Sequence, residues 1–169
     1  MKAKLIIEDK EIEIEISEEE YKKLQLPEEK KTGYERVPKN GHYFYEFGKG
    51  DVESDVEDYY DVDDEYYESA NYYSDKTIAE NNARADKLMR QLRRFSVEHR
   101  ERGVNLNDTN TKKYYICYDY ENNELGATFT FVGRVFGIIY FDSEEAVNTA
   151  MDKFHDELIW YFTEYKDSL

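Results

Sequence analysis

The sequence predicts an α+β fold: an antiparallel β-sheet, made of two meander-plus-helix halves, packed against two long helices, with an N-terminal β-hairpin-helix appendage. Short segments with alternating or aromatic-rich apolar residues recur along the chain, which is typical of strands. Two long segments carry apolar residues at the spacing of one buried helix face. The order of strands, an aromatic pair and a capped helix occurs twice, which indicates two similar halves.

The composition indicates one strongly acidic domain, or one domain with a small appendage. The chain has 169 residues, of which 40% are hydrophobic and 16% aromatic, and its formal net charge is −16. This is enough apolar material for a core, much of it Tyr and Phe. The charge excludes a nucleic-acid binder held by a global positive field and favours a basic partner.

The cysteine count and the hydropathy bear on the compartment. Cys117 is the only cysteine, which excludes an internal disulfide and a cysteine-based zinc site and fits a reducing cytoplasm. It lies in an apolar run, so we expect it to pack rather than react. The sequence shows no signal peptide and no apolar run long enough to span a membrane. We therefore expect a soluble, cytoplasmic protein without a membrane partner.

Residues 1–26 are predicted to form a β-hairpin followed by a short helix. The second strand, residues 11–16, alternates Glu and Ile with a period of two. Ser17 is placed to cap the helix at the start of a capping box. Such a small unit does not stand alone, and Pro27 with the charged residues after it is predicted to join it to a core domain, residues 33–169.

The core domain is predicted to begin with β structure. Tyr34 to Val37 is a candidate strand, and His42 to Phe47 is a stronger one. A glycine-containing turn follows, and Val52 to Val56 is the return strand. From there we expect a loop through Glu68, part of it poorly ordered without a partner.

Residues 74–102 are predicted to form a long helix capped by Ser74 or Asp75. Its buried face is formed by Ala85, Leu88, Leu92 and Phe95. The outer face is basic, with a formal net charge of +4. Its cations are Arg84, Lys87, Arg90, Arg93, Arg94, Arg100 and Arg102, and its carboxylates are Asp86, Glu98 and Glu101. The favoured interpretation is that this face neutralises the acidic segment of the same molecule or of a second subunit. The alternative is nucleic-acid binding, which a net charge of −16 would oppose.

Three strands and a helix are predicted after residue 112. Residues 113–120 and 124–132 are two strands, and residues 135–141 are nearly all apolar, which favours a central strand. Asp142 is placed to cap the last helix. Its buried stripe consists of Val147, Met151, Phe154, Leu158 and Phe162.

An internal similarity links the openings of the two long helices. Residues 71–74 (NYYS) precede the first, and residues 139–142 (IYFD) precede the second. Either two similar halves or shared local capping chemistry explains this pattern.

The acidic segment, residues 51–68, holds ten carboxylates and four tyrosines but no Lys or Arg. It therefore supplies −10 of the net −16. A solvated acidic loop is one interpretation, and a surface that imitates nucleic-acid phosphate is the other; the tyrosine pairs favour the second, because Tyr is a preferred interface anchor. The predicted partner-binding residues are Asp51, Glu53, Asp55, Glu57, Asp58, Tyr59, Tyr60, Asp61, Asp63, Asp64, Glu65, Tyr66, Tyr67 and Glu68.

Repulsion between these carboxylates has a consequence for stability. We expect that neutralising Asp58, Asp61, Asp63, Asp64 and Glu65 leaves the stability of the fold unchanged or raises it.

The sequence offers little support for catalysis. His42, His99 and His155 are scattered, and no glycine-rich phosphate loop is present. Residues 61–65 resemble the opening of a calcium loop, but Tyr66 stands where that loop needs glycine. We therefore predict a protein that is not an enzyme, with no catalytic residues, no metal site and no cofactor.

Four stretches resemble a loose set of small proteins from phages and prophages of Gram-positive bacteria: HYFYEFGKGDVESDVED, SANYYSDKTIAENNARADKLMRQLRRFSVEH, KYYICYDYENNEL and GIIYFDSEEAVNTAMDKFHDELIWYF. The N-terminal hairpin-helix looks like a module common in the same phage genomes. Some small acidic proteins of this context are anti-CRISPR proteins, which block an RNA-guided nuclease by occupying its DNA-binding surface.

The resemblance and the acidic segment together predict a phage-encoded, DNA-mimicking inhibitor of a basic nucleic-acid-binding defence protein, a type II CRISPR nuclease above all. One alternative is an inhibitor of another defence or host enzyme bound through the aromatic surface. Another is a nucleic-acid-binding accessory protein that uses the basic helix 84–102. The leading hypothesis expects no direct DNA binding, and the isolated hairpin and the opposite charges of loop and helix allow a homodimer.

Overall fold

The structure, a computed structural model, has the predicted α+β character. It describes residues 2–7, 10–17, 19, 31–101 and 103–168. The chain divides into two compact units, residues 1–31 and residues 32–169. In the described ranges the strands form three separate antiparallel pairs, so the single continuous sheet expected from the sequence is wrong.

The first unit contains the predicted hairpin. Strand β1 (Lys2–Ile7) pairs antiparallel with strand β2 (Lys10–Glu15). The register places Lys4 opposite Glu13. The predicted helix that follows, residues 17–26, lies almost entirely outside the described residues.

The second unit begins with a hairpin and two helices. Its elements are β3 (His42–Phe47), β4 (Asp51–Val56), α1 (Asp61–Glu68) and α2 (Lys76–Glu98). The β3–β4 hairpin and the long helix α2 agree with the prediction. The expected strand at residues 34–37 is wrong, because this segment is held by side chains instead of a ladder. Arg36 contacts Glu57, and the Val37 amide donates to the Tyr72 hydroxyl at 3.1 Å.

The remainder of the second unit repeats this order. Its elements are β5 (Lys113–Asp119), β6 (Glu124–Thr130), α3 (Glu144–Lys153) and α4 (His155–Thr163). The last helix was expected to be continuous, but it is divided into two at Phe154, whose backbone leaves the helical region at φ −111° and ψ 20°.

The two halves share one hydrogen-bonding device. In the first half, Phe44 of β3 and Tyr73 exchange two backbone hydrogen bonds of 2.9 Å each. In the second half, Tyr114 of β5 and Phe141 exchange two of 3.0 and 2.8 Å. Both Tyr73 and Phe141 lie two residues before the N-cap of the next helix. The similarity between the two helix openings is therefore structural.

The caps of these two helices follow the expected chemistry, with one shift. The Asp75 carboxylate accepts a hydrogen bond from the Ile78 amide at 3.0 Å. At the second helix the cap is Ser143 instead of the predicted Asp142, and its hydroxyl accepts from the Ala146 amide at 3.1 Å.

Helix α2 belongs to the first half of the second unit but packs against both halves. Ile78 and Ala79, near its N-terminus, pack with Tyr73, Phe44 and Val52. The larger core lies further along α2 and comprises Leu88, Leu92, Phe95, Phe141, Ala146, Val147, Ala150 and Leu158. The predicted buried face of α2 is thus confirmed.

The apolar run at residues 135–141 does not form the predicted central strand. Gly137 adopts a φ of +82°, which turns the chain, and the Ile138 amide donates to the Val135 carbonyl at 3.4 Å. Only Phe141 pairs with a strand. The run is apolar, but Val135 and Phe136 are exposed.

A fully buried lysine fixes the start of the second half. The Lys113 ammonium group donates to the backbone carbonyls of Asp108 at 2.6 Å, Phe131 at 3.1 Å and Thr111 at 3.3 Å. These three acceptors satisfy the buried charge and tie the loop before β5 to the end of β6. Among the described residues, no helix is both long and apolar enough to cross a bilayer.

Two glycines with positive φ provide a matched test of packing around α2. A methyl group added at Gly33 would lie 2.8 Å from Ile78 Cγ1, whereas one added at Gly48 would meet nothing within 4 Å. We expect Gly48→Ala to cost about 1 kcal/mol for the left-handed backbone alone, and Gly33→Ala to cost about 1–3 kcal/mol more because of overpacking. Urea denaturation of both variants measures the difference, and equal losses would contradict the contact with Ile78.

Candidate functional site

The acidic segment is folded along its length. Residues 51–56 form β4 as predicted, but the expected loop through Glu68 is wrong, because Asp61–Glu68 is helix α1. Asp61, Asp63 and Asp64 lie in its first turn, where negative charge stabilises a helix N-terminus. Ala70, with a φ of +57°, follows its end.

Glu57, between β4 and α1, is fully buried, with 0% of its surface exposed. Its carboxylate accepts hydrogen bonds from Arg36 Nε at 2.8 Å and Nη2 at 3.0 Å, from the Tyr72 hydroxyl at 2.8 Å and from the Tyr59 amide at 2.9 Å. These bonds, the Arg36 pair first, lower the pKa of Glu57 from 4.5 to about 2 against the opposing effect of burial. Glu57 is therefore a charged structural residue and not a surface contact for a partner.

Asp63, inside α1, is also buried, with 2% exposed. One carboxylate oxygen accepts from the Tyr43 hydroxyl at 2.9 Å, and the other accepts from the amides of Tyr60 at 3.0 Å and Asp58 at 3.1 Å. Asp63 thus fixes the entry to the helix and ties it to β3. The expectation that its neutralisation leaves stability unchanged does not fit these contacts.

Stacked tyrosines form a layer beneath α1. Tyr43 stacks on Tyr72 with ring centroids 4.2 Å apart, and Tyr45 stacks on Tyr66 at 4.3 Å. Tyr67 meets Tyr72 edge-on at 5.4 Å. Burial is the main reason that the pKa values of Tyr43 and Tyr72 lie well above the ordinary range. Tyr66, predicted as a partner contact, is half-buried in this layer.

The other predicted site residues lie at or near the surface. Asp58 is half-exposed, and Tyr59, Tyr60 and Tyr67 are exposed, Tyr60 at 68%. The exposed carboxylates of the segment are Asp51, Glu53, Asp55, Asp61, Asp64, Glu65 and Glu68. The last four occupy positions i, i+3, i+4 and i+7 of α1, which is one face of a helix. We call this face the acidic stripe.

Arg36 is the residue that the sequence reasoning missed. Besides Glu57, it forms an ion pair of 2.6 Å with Asp64 of the stripe. Its guanidinium also lies 5.1 Å from the Tyr59 ring centroid and 5.5 Å from that of Tyr67. Hydrogen bonds to Glu57 and Asp64 raise its pKa above the ordinary value. Nothing in its sequence neighbourhood distinguishes Arg36 from other surface cations.

Within one molecule, and contrary to expectation, the basic face of α2 pairs with carboxylates outside the acidic segment. Neutralisation by a second subunit stays a prediction. Arg84 pairs with Glu157 at 2.8 Å, Arg90 with Glu46 at 2.6 Å, and Arg94 with Glu98 at 3.7 Å. Over the described ranges, no ion pair joins α2 to residues 51–68. Part of this face lines a groove of about 360 Å³ formed by Gly48, Lys49, Lys87, Arg90, Gln91 and Arg94.

Other reactive residue types are dispersed. In the part of the chain that the structure describes, no group of three or more His, Cys, Asp or Glu side chains is arranged to hold a metal ion. His99 stacks on Phe95 at 3.7 Å. Burial raises the pKa of the half-buried Cys117 thiol, and its sulfur contacts the Gly126 carbonyl at 3.4 Å, which is the packing role expected of it.

No protein-family model matches the chain, and no curated protein and no solved structure is significantly similar to it. The resemblance to phage and prophage proteins therefore stays a prediction.

The burial difference within the acidic segment predicts opposite outcomes for two similar substitutions. Asp63→Asn should lower the free energy of unfolding by about 2–3 kcal/mol, because an amide nitrogen replaces a charged acceptor beside backbone amides. Asp61→Asn, on the exposed stripe, should change it by less than about 0.5 kcal/mol. Chemical denaturation of both variants measures this, and two equally neutral substitutions would mean that Asp63 is not structural.

The Glu57 network also predicts a pH dependence. Because the pKa of Glu57 is about 2 in the folded state and near 4.5 when unfolded, its ionised form stabilises the fold above pH 4.5. This contribution should disappear as the pH falls from 4.5 towards 2. Glu57→Gln should lower stability by about 3 kcal/mol at neutral pH, and the gap to the natural protein should close over that pH range. Urea denaturation at a series of pH values tests this. Glu65→Gln is the matched exposed control, and a gap that does not depend on pH would contradict the ionised buried carboxylate.

Proposed function

We propose that this chain is a non-enzymatic inhibitor, which binds a basic nucleic-acid-binding protein through the acidic stripe, strand β4 and the exposed tyrosines beside them. The observation that carries the proposal is that the stripe is fixed by the fold. Glu57, Asp63 and the tyrosine layer hold α1 in place from beneath, so its charges are arranged before any partner arrives. A preorganised surface loses less entropy on binding than a loop that must first become ordered.

The spacing of the stripe suits imitation of a phosphate backbone. Asp61 and Glu68 are seven positions apart, which is about 10 Å along a helix axis. Four carboxylates over this length have a mean axial spacing of about 3.5 Å, close to the roughly 3.4 Å per charge of one DNA strand. Asp51, Glu53 and Asp55 extend the negative surface along β4. Arginines that normally hold phosphate would form charge-assisted hydrogen bonds with these carboxylates.

The exposed tyrosines supply the apolar part of the surface. Tyr59 and Tyr60 connect β4 to α1 and are 53% and 68% exposed. Tyr59 adopts a positive φ of +60°, a backbone conformation that non-glycine residues rarely adopt. Rigid aromatic anchors within a charged rim are the usual composition of a binding hot spot.

An RNA-guided nuclease of the type II CRISPR class is the proposed target, and the infected bacterial cytoplasm the proposed compartment. Such a nuclease reads its short recognition motif with arginines and holds nucleic acid in a positively charged channel. The resemblance to phage and prophage proteins supports this choice, and the acidic surface supplies a physical means of inhibition.

A second candidate function, nucleic-acid binding through α2, has one observation in its favour. Lys49, Lys87, Arg90 and Arg94 line a common groove. Two of these cations are already paired, Arg90 with Glu46 and Arg94 with Glu98, and the net charge of −16 repels phosphate over a long range. Direct DNA binding by the purified protein that weakens steeply with salt would favour this candidate over inhibition.

The proposal predicts competition with DNA for one site on the target. Inhibitor added to the guide-loaded nuclease before DNA should block DNA binding, and inhibitor added after a stable DNA complex has formed should do much less. Inhibition should weaken with salt, because exposed charge pairs are screened over about 8 Å at physiological ionic strength. An inhibitor that stops cleavage but leaves DNA binding intact would contradict the mimicry.

Matched variants separate the stripe from the net charge. The combination of Asp61→Asn, Asp64→Asn, Glu65→Gln and Glu68→Gln removes four charges, which changes the net charge from −16 to −12. Its control removes four exposed charges elsewhere through Glu121→Gln, Glu124→Gln, Asp152→Asn and Glu164→Gln. The stripe variant should lose at least tenfold in affinity and show a flatter salt dependence, whereas the control should bind nearly as well as the natural protein. Equal losses would mean that global charge, and not the stripe, drives binding.

A further inference from the structure

Phe136 is the most exposed large apolar residue in the described part of the chain, with a relative exposure of 102%. It lies in the connection between β6 and Phe141, where a strand was expected. Phe131, Val132 and Val135 of the same stretch are exposed too, and a large exposed apolar patch, unlike a single exposed side chain, marks an interaction site.

The local backbone holds Phe136 outward. The Ile138 amide donates to the Val135 carbonyl, and Gly137 has a φ of +82°. This places Phe136 at the first and Gly137 at the second central position of a tight turn, where the second requires positive φ. The Val135 amide also donates to the hydroxyl of the buried Tyr140 at 3.0 Å. The phenyl ring is therefore presented by a braced turn.

An apolar pocket of about 180 Å³ begins beside this turn. Gly137, Ile138 and Ile139 form one wall of it. The other walls are formed by α2, β5, Phe141 and α4, through Leu88, Met89, Leu92, Ile116, Phe141, Leu158, Tyr161 and Phe162. The pocket is lined almost entirely by apolar side chains, and an apolar cavity of about 150 Å³ is enough to accept a benzene ring. Phe136 and the apolar pocket thus lie next to each other on one surface of the molecule.

The stretch of sequence that carries Phe136 lacks negative charge. Residues 125–141 contain no Asp or Glu and only one charged residue, Arg134. In a chain with 39 acidic residues and a net charge of −16, two copies repel each other over most of their surface. This connection brings no carboxylate of its own to a contact between two copies.

We propose that two copies of this chain associate by exchanging Phe136, each ring entering the apolar pocket of the other copy. Phe136 and the pocket lie side by side. In a dimer with twofold symmetry, each Phe136 ring therefore enters the pocket of the other copy at the same time, which gives a closed, self-complementary interface. The turn that holds Phe136 outward keeps it out of the pocket of its own chain. The occupant of each pocket is therefore the partner's ring.

The exposed apolar area fits a weak, reversible dimer. Phe129 and Phe131, with ring centroids 5.5 Å apart, are 43% and 41% exposed, and Val132 is 76% exposed. With about 150–250 Å² for a phenylalanine side chain, the three phenylalanines expose on the order of 400 Å². A standard interface buries roughly 800 Å² on each partner, so an apolar surface of this size suits a weak, reversible contact.

Sedimentation velocity over micromolar to submillimolar concentrations tests the proposal. The natural chain should form dimers as its concentration rises, and Phe136→Ala should raise the dimer dissociation constant at least ~30-fold, because each copy loses a central anchor. Phe47→Ala is the control, since Phe47 is 57% exposed on β3, away from the pocket, and it should dimerise like the natural chain. Higher salt should strengthen the dimer, because it screens the repulsion between copies.

A second measurement follows the ring itself. In Phe136→Trp, the added indole should shift to shorter emission wavelengths and become protected from iodide as the concentration rises. A natural chain that stays monomeric throughout, or a Phe136→Ala variant that dimerises equally well, would overturn the proposal. Protection of the indole that is independent of concentration would also overturn it, because the ring would then occupy the pocket of its own chain.

Discussion

The buried charge of Glu57 is the constraint on which the acidic half of the molecule depends. An ionised carboxylate without partners at this position would cost several kcal/mol, and four donors prevent that cost. They come from three different places: Arg36 from the segment before β3, Tyr59 from the connection to α1, and Tyr72 from the approach to α2. Satisfying one carboxylate therefore fixes the relative positions of three segments that share no β-ladder.

The two halves use a common frame to carry different surfaces. In each, the first strand of a hairpin bonds to an aromatic residue two positions before a helix cap, Phe44 to Tyr73 and Tyr114 to Phe141. What differs is the connection from the hairpin to that residue. In the first half it contains the acidic helix α1 over a layer of tyrosines. In the second half it is an apolar turn that presents Phe136. The frame is set by backbone hydrogen bonds, so the connections are free to differ in chemistry.

Sequence patterns predicted the parts of the fold that are decided locally. The buried spacing of Leu88, Leu92 and Phe95 and the aromatic run before Gly48 correctly predicted α2 and β3, because both signals are contained within a few neighbouring residues. Helix α1 was missed because Asp and Tyr are poor helix formers, and the contacts that stabilise it, Asp63 with Tyr43 and Tyr66 with Tyr45, join residues about twenty positions apart. The acidic site was located by composition alone. Composition does not tell which carboxylates of the segment are buried, like Glu57, and which are exposed, like Glu65. The burial of Glu57 depends on its ion pair with Arg36, and no local sequence pattern reveals that role of Arg36.

The same side-chain chemistry thus acts in two ways within one segment. Inside, carboxylates are satisfied by Arg36 and by tyrosine hydroxyls, and they hold the helix in place. Outside, the stripe keeps an excess of negative charge, since Arg36 contacts only Asp64 among its four members in the described structure. In water this excess is tolerable, because two charges 4 Å apart interact with only about 1 kcal/mol at the dielectric constant of water. A cationic partner replaces this repulsion with charge-assisted hydrogen bonds, and binding is favourable where these exceed the cost of removing water from both sets of charges. The same excess repels a second copy, which is why self-association is expected at the carboxylate-free turn and not at the acidic face.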